Sequence, residues 1–128
     1  MKSYVKTIAA VLIAGVIGLS GVAAMAAEDA AGVLKHTKEA LASVKSALTH
    51  AQAGHKDMTL DELKLTKQHM KEVTGDYLGA SLQHAQARIR TATNEAEKGD
   101  MAKSAAALSE AVEKLTAIEK KVSEQHAK

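Results

Sequence analysis

The chain has 128 residues, with 17 Lys plus Arg, 15 Asp plus Glu and 6 His, and it contains no Pro, Cys, Trp or Phe. That length suits a single domain. Without cysteine, disulfides, thiolate metal sites and the CxxCH haem attachment are excluded, and without proline long uninterrupted helices are favoured.

Residues 1–26 read as a secretory signal. Lys2 and Lys6 make a basic start, an apolar run follows from Ile8 to Ala24, and Ala24-Met25-Ala26 supplies the small-x-small pattern read by signal peptidase. The run is close to the shortest length that spans a bilayer, so a retained anchor is the competing reading. The acidic Glu28 and Asp29 just beyond it favour cleavage, which predicts a periplasmic protein with no stable membrane association. Cleavage removes two lysines and no acid, leaving basic and acidic residues equal in number, so the pI near 8.8 partly reflects the signal. No basic patch with aromatic neighbours is present, which argues against nucleic acid as a partner.

Residues 27–128 divide at glycines into four predicted helices. The first runs from Glu28 to Ala53, with Leu34, Leu41, Val44, Leu48 and Ala51 as its apolar stripe and Gly54 as its stop. Glu28 and Asp29 suit the positive end of its dipole. Thr59-Leu60-Asp61-Glu62 has the form of a capping box. It predicts a second helix from Leu60 to Thr74, with Leu63, Thr66, Met70 and Val73 inward and Gly75 as its stop.

Asp76 is placed to cap a third helix from Tyr77 to Lys98. Its stripe of Leu78, Leu82, Ala85, Ile89, Ala92 and Ala96 is a heptad seam. Gly99 closes it and Asp100 caps the fourth, which carries Met101, Ala105, Leu108, Val112, Leu115, Ile118 and Val122. No stretch alternates with period two. The fold class is therefore all-α, and the short connections predict an antiparallel up-down-up-down four-helix bundle. Short echoes hint at a duplicated helical hairpin: Leu34-Lys35-His36 with Leu82-Gln83-His84, His50 to Ala53 with His84 to Ala87, and Gly54 to Asp57 with Gly99-Asp100.

The histidines are the chemically suggestive residues. His36, His50 and His84 fall beside the seam rather than in it, and His126 lies in a tail expected to fray. No two histidines are four apart on one helix, so a metal must draw ligands from several elements. One candidate group is His50, His55 and Asp57, with Met58 beside them, around one helix end. A second is His36, His69 and His84. At about 1.5 Å of rise per residue, these three lie at one level of the bundle. Imidazole with carboxylate suits Cu(II), Zn or Ni. Coordination needs neutral imidazoles, so binding should weaken as the pH falls below about 6.5.

Lys35-His36-Thr37-Lys38-Glu39-Ala40 and Ala53-Gly54-His55-Lys56-Asp57 resemble the repeated K-H-x-x-E-A and G-H-x-D elements of the small metal-binding proteins of ammonia-oxidising bacteria. Gln83 to Ala87 resembles a degenerate copy, and Lys67 to Lys71 a partial one. The likeness extends over essentially all of residues 27–128 in length, helix order and glycine placement. It implies a histidine-rich periplasmic four-helix bundle that binds divalent metals, copper above all. This chain departs from that pattern in its second half, where Asp100, Ala107 and Lys114 stand at positions expected to hold histidine.

The leading expectation is a periplasmic copper buffer or scavenger using His36, His50, His55, Asp57, His69 and His84. A metal-free structural or chaperone-like bundle competes with it, and a b-type haem carrier more distantly. An enzyme is the least expected. No Ser/His/Asp grouping, phosphate loop or HExxH motif occurs. Glu39 and Glu72 each follow a histidine by three residues, a spacing common by chance on helices.

Overall fold

Glycines mark each of the three breaks between the helices, at Gly54, at Gly75 and Gly79, and at Gly99. The computed structural model describes residues 30–127, and over that range the protein is all-α. Helix α1 covers 30–52, α2 Lys56–Met70, α3 Gly79–Lys98 and α4 Met101–Ala127, with a 3-10 turn at Asp76–Leu78 before α3. None of the described helices is long and apolar enough to cross a membrane. The secretory signal expected at 1–26, and the dipole role expected of Glu28 and Asp29, fall outside the described residues.

The stops at Gly54 and Gly99 are built alike. Gly54 (φ +80°) donates its N–H to the Ala51 carbonyl while His55 donates to His50. Gly99 (φ +88°) donates to Ala96 while Asp100 donates to Glu95. This paired pattern closes a helix on a left-handed residue, where glycine lacks the Cβ that would clash.

Helix α2 departs from expectation at both ends. It begins at Lys56, with His55 as an N-cap that makes no side-chain capping bond. Thr59 is therefore an interior helical residue and not a cap. It is fully buried, and its hydroxyl donates to the His55 carbonyl one turn back at 2.7 Å. A buried hydroxyl needs a local acceptor, and the carbonyl four residues earlier supplies one. The helix ends at Met70, short of Gly75. The next two N–H groups after Lys71 bond three residues back, Glu72 to His69 and Val73 to Met70, which tightens the chain out of α-geometry. Val73 still reaches the core at 2% exposure, so the inward stripe outlasts the regular helix. Asp76 starts the 3-10 turn and makes no cap for α3. Asp100 does cap α4, accepting from the Lys103 N–H at 3.0 Å.

One core cluster draws on all four helices. Its large, fully buried members are few, chiefly Leu63, Leu78, Leu108, Leu115 and Ile118. Each contributes about 1.5–3 kcal/mol by burial. Alanine and hydroxyl residues fill much of the rest. Thr37, Thr66 and Thr93 satisfy their hydroxyls on carbonyls four residues back. Ser104 instead crosses to the Ala92 carbonyl at 2.9 Å, tying α4 to α3. Lys121 donates to Ser81 at 3.1 Å and Arg88 pairs with Glu110 at 3.0 Å. As numbers rise along α3 their partners' numbers fall along α4, so these two helices run antiparallel.

The hairpin echo acquires a definite register here. Counting from Gly54 to Gly99 gives a shift of 45 residues. At that shift Ala40, Val44, Ala47 and Ala51 match Ala85, Ile89, Ala92 and Ala96, all buried. Thr59, Leu63, Thr66, Met70 and Val73 likewise match Ser104, Leu108, Ala111, Leu115 and Ile118, again all buried. The histidine echoes that align His36 or His50 with His84 follow other shifts and do not share this register.

Candidate metal centre

His36, Glu39 and His69 converge on one point. The His36 Nδ1 lies 3.3 Å from Glu39 Oε1, the His69 Nδ1 lies 3.3 Å from the same oxygen, and the two nitrogens face each other at 3.4 Å. Among the described residues this is the group of three potential ligands whose atoms gather within 4.8 Å. The rings stand 5.6 Å apart between centroids, tilted by 35°.

The local helix geometry explains the convergence. His36 and Glu39 are three apart on α1, a spacing that puts both side chains on one face. Their chain neighbours Thr37 and Ala40 are fully buried, so the pair occupies the rim of the core seam. His69 is the penultimate residue of α2, beside the buried Met70, and reaches the same rim from the facing helix. The three side chains keep 30%, 39% and 26% of their surface exposed, so the group is reachable from solvent yet held from behind by packed residues.

The other expected ligands are placed differently. His50 and His55 approach across the Gly54 turn, ring centroids 6.0 Å apart, with His50 half-buried and His55 exposed. Asp57, in the first turn of α2, lines a groove with Asp61, Lys64, Lys67 and Glu97, and does not join the two rings in a tight group. His84 does not complete a trio with His36 and His69. It is exposed and lines a depression between α3 and α4 with Arg88, Glu110, Glu113 and Lys114. Axial level alone placed it with the other two, but rotation about the helix turns it toward α4. At the 45-residue shift the counterparts of His36, Glu39 and His69 are Ser81, His84 and Lys114. His84 thus stands in the second hairpin where Glu39 stands in the first. His126 lies within α4, in a depression beside Lys35, Lys38 and Glu39, and not in a frayed tail.

Glu39 is the potential ligand that a count of histidines leaves out. Its signal was the His36-x-x-Glu39 spacing, which alone does not separate it from His69-x-x-Glu72. What separates them is the end of α2 at Met70, which leaves Glu72 outside the helix and exposed. Two imidazole nitrogens and a carboxylate oxygen form a donor set that suits Cu(II), Zn(II) or Ni(II). No protein-family model matches the chain, and no curated protein sequence matches it.

Proposed function

We propose that this chain is a periplasmic metal-binding protein that buffers or scavenges divalent ions and is not an enzyme. Its fold on this reading is an antiparallel up-down-up-down four-helix bundle, a histidine-depleted relative of the small metal-binding proteins. The observation that carries the reading is the convergence of His36, Glu39 and His69 from two helices onto one point. Three donor atoms at mutual distances of 3.3–3.4 Å form a preorganised grip, and their partial exposure suits reversible uptake. His50, His55 and Asp57 form a looser second locus around the Gly54 turn, where flexible approach supplies what preorganisation does not. Copper is the first expected cargo on the resemblance. The pattern of residues 1–26 supports export and cleavage after Ala26.

A metal-free bundle is the second reading, and the same triangle gives it an argument. Glu39 lies within ion-pairing distance of both imidazoles and the two Nδ1 atoms within hydrogen-bonding distance of each other, which makes the group a polar clasp between α1 and α2 without an ion. Calorimetric titration with Cu(II) at about pH 7.5, where imidazoles are neutral, separates the two. The parent should take up copper. Replacing His36 and His69 together with Ala should remove the tighter binding, and His50 and His55 together the weaker. Helicity should be nearly intact in both, since partly exposed substitutions usually cost little. A parent that takes up no copper leaves the metal-free bundle as the reading.

A further inference from the structure

The triangle is specific enough to choose among ions. Three donor atoms held at about 2.0–2.1 Å by a tetrahedral ion stand about 3.3–3.4 Å from one another. The same bond lengths in a square-planar or octahedral ion put adjacent donors about 2.9 Å apart, and three donors of a square plane must include one pair about 4 Å apart. The observed edges are 3.3, 3.3 and 3.4 Å. All three lie closer to the tetrahedral spacing than to the edges of about 2.9 and 4 Å that a square-planar set requires.

We infer that His36, Glu39 and His69 form one face of a tetrahedral site of the Zn(II) class, with the fourth position open to solvent. This deepens the metal-binding reading and rests on it. Each imidazole would bind through Nδ1, the nitrogen turned into the triangle, leaving its Nε2 to carry the ring proton. Glu39 would bind as the carboxylate through Oε1. The fourth position would be filled by water or an incoming donor, which the partial exposure of all three side chains admits. Structural zinc sites are closed by four protein ligands, whereas an open position permits exchange. An ion held by three ligands at a surface can be attacked from its open side and passed on, as a buffer or carrier requires. The tetrahedral frame disfavours Ni(II) and Cu(II) alike, since both prefer square-planar or tetragonal surroundings, so on this inference the triangle suits Zn(II) better than the copper that the resemblance implies.

Cobalt(II) reports the geometry directly, because tetrahedral Co(II) absorbs visible light strongly and octahedral Co(II) weakly. Titrating the purified full chain with Co(II) should produce intense visible bands. One equivalent of Zn(II) should bleach them, and Ni(II) at the same concentration should not. His69→Ala should weaken Co(II) binding about tenfold or more, as loss of a metal-site partner commonly does. Glu39→Gln, which keeps the side chain's shape, should do the same and carries the test should His69→Ala lose helicity. Glu72→Gln should leave the spectrum unchanged. A weak octahedral spectrum, or displacement by Ni(II) as readily as by Zn(II), overturns the tetrahedral assignment while the metal-binding reading stands. If the full chain binds neither Co(II), Zn(II) nor Cu(II), both fall together.

Discussion

The two helical hairpins share a burial pattern and differ in what they place on it. At the 45-residue shift nine buried positions coincide, from Ala40 and Ala85 to Val73 and Ile118. The rims diverge. The first hairpin gathers His36, Glu39 and His69, while the second carries Ser81, His84 and Lys114 at the matching positions. Ser81 there accepts a hydrogen bond from Lys121, and His84 and Lys114 line a shared depression with Arg88 and Glu110. One scaffold thus bears a ligand triangle in one copy and a solvated polar patch in the other. The core fixes where helices cross, and the rim is free to change without disturbing it.

The turns make the same contrast at a single residue. His55 and Asp100 occupy equivalent places after the glycine, and the carbonyl of each accepts the first helical bond, from Thr59 and Ser104. Asp100 also caps α4 with its carboxylate, accepting from the Lys103 N–H. His55 makes no such bond. An N-cap aspartate contributes about 0.5–2 kcal/mol over a non-capping residue. Histidine at this position therefore forgoes local stability that a capping residue would supply.

The sharpest way to break the comparison is to rebuild the missing rim. Ser81→His, His84→Glu and Lys114→His, made together, should give the second hairpin its own triangle. Equilibrium dialysis should then find one further Zn(II) per chain. No added ion would mean that the matched cores do not hold their rims in matched geometry. Next in size are the paired core leucines. Leu63→Ala and Leu108→Ala, at equivalent positions exposed by 1% and 0%, should each cost about 2–5 kcal/mol in urea unfolding. A loss under half of that range's lower bound at either position would show that the repeat does not extend to energetics. The smallest effect lies at the turns. Asp100→Ala should lower stability by about 1 kcal/mol and His55→Asp should raise it by a similar or smaller amount. Equal and opposite melting shifts would sharpen the reading of His55 as a forgone cap, and a destabilising His55→Asp would sink it.

The inward faces were the legible part of the sequence. The seam Leu78, Ala85, Ile89, Ala92 and Ala96 is buried as its spacing predicts, with Leu82 half-buried. Leu63, Thr66, Met70 and Val73 are all buried, although Val73 lies beyond the helix. Heptad spacing reports which residues share a stripe, and burial follows from that alone. The boundaries of α2 were misread because Thr59 to Glu62 has the letters of a capping box. A threonine in that pattern is equally at home on a buried face, bonded one turn back. The site was half legible. His36 and His69 were paired by their axial level, but level says nothing of rotation about the axis, which sent His84 to the α4 side and brought Glu39 in. That rotation is decided by how α1 packs on α2 and α3 on α4, a property of the assembled core and not of any one helix.

The group at the rim has a topological consequence. His36 and His69 are 33 residues apart in the chain. An ion gripped by both closes a loop through the Gly54 turn, and closing a loop of that size restricts the unfolded chain by about 3–4 kcal/mol on the chain-entropy formula for a cross-link. The protein has no cysteine and so cannot form a permanent covalent bridge. A bound ion would serve as a removable staple in its place, fastened when metal is abundant and released by any competing chelator. The resistance of the first hairpin to unfolding would then vary with the metal content of its surroundings.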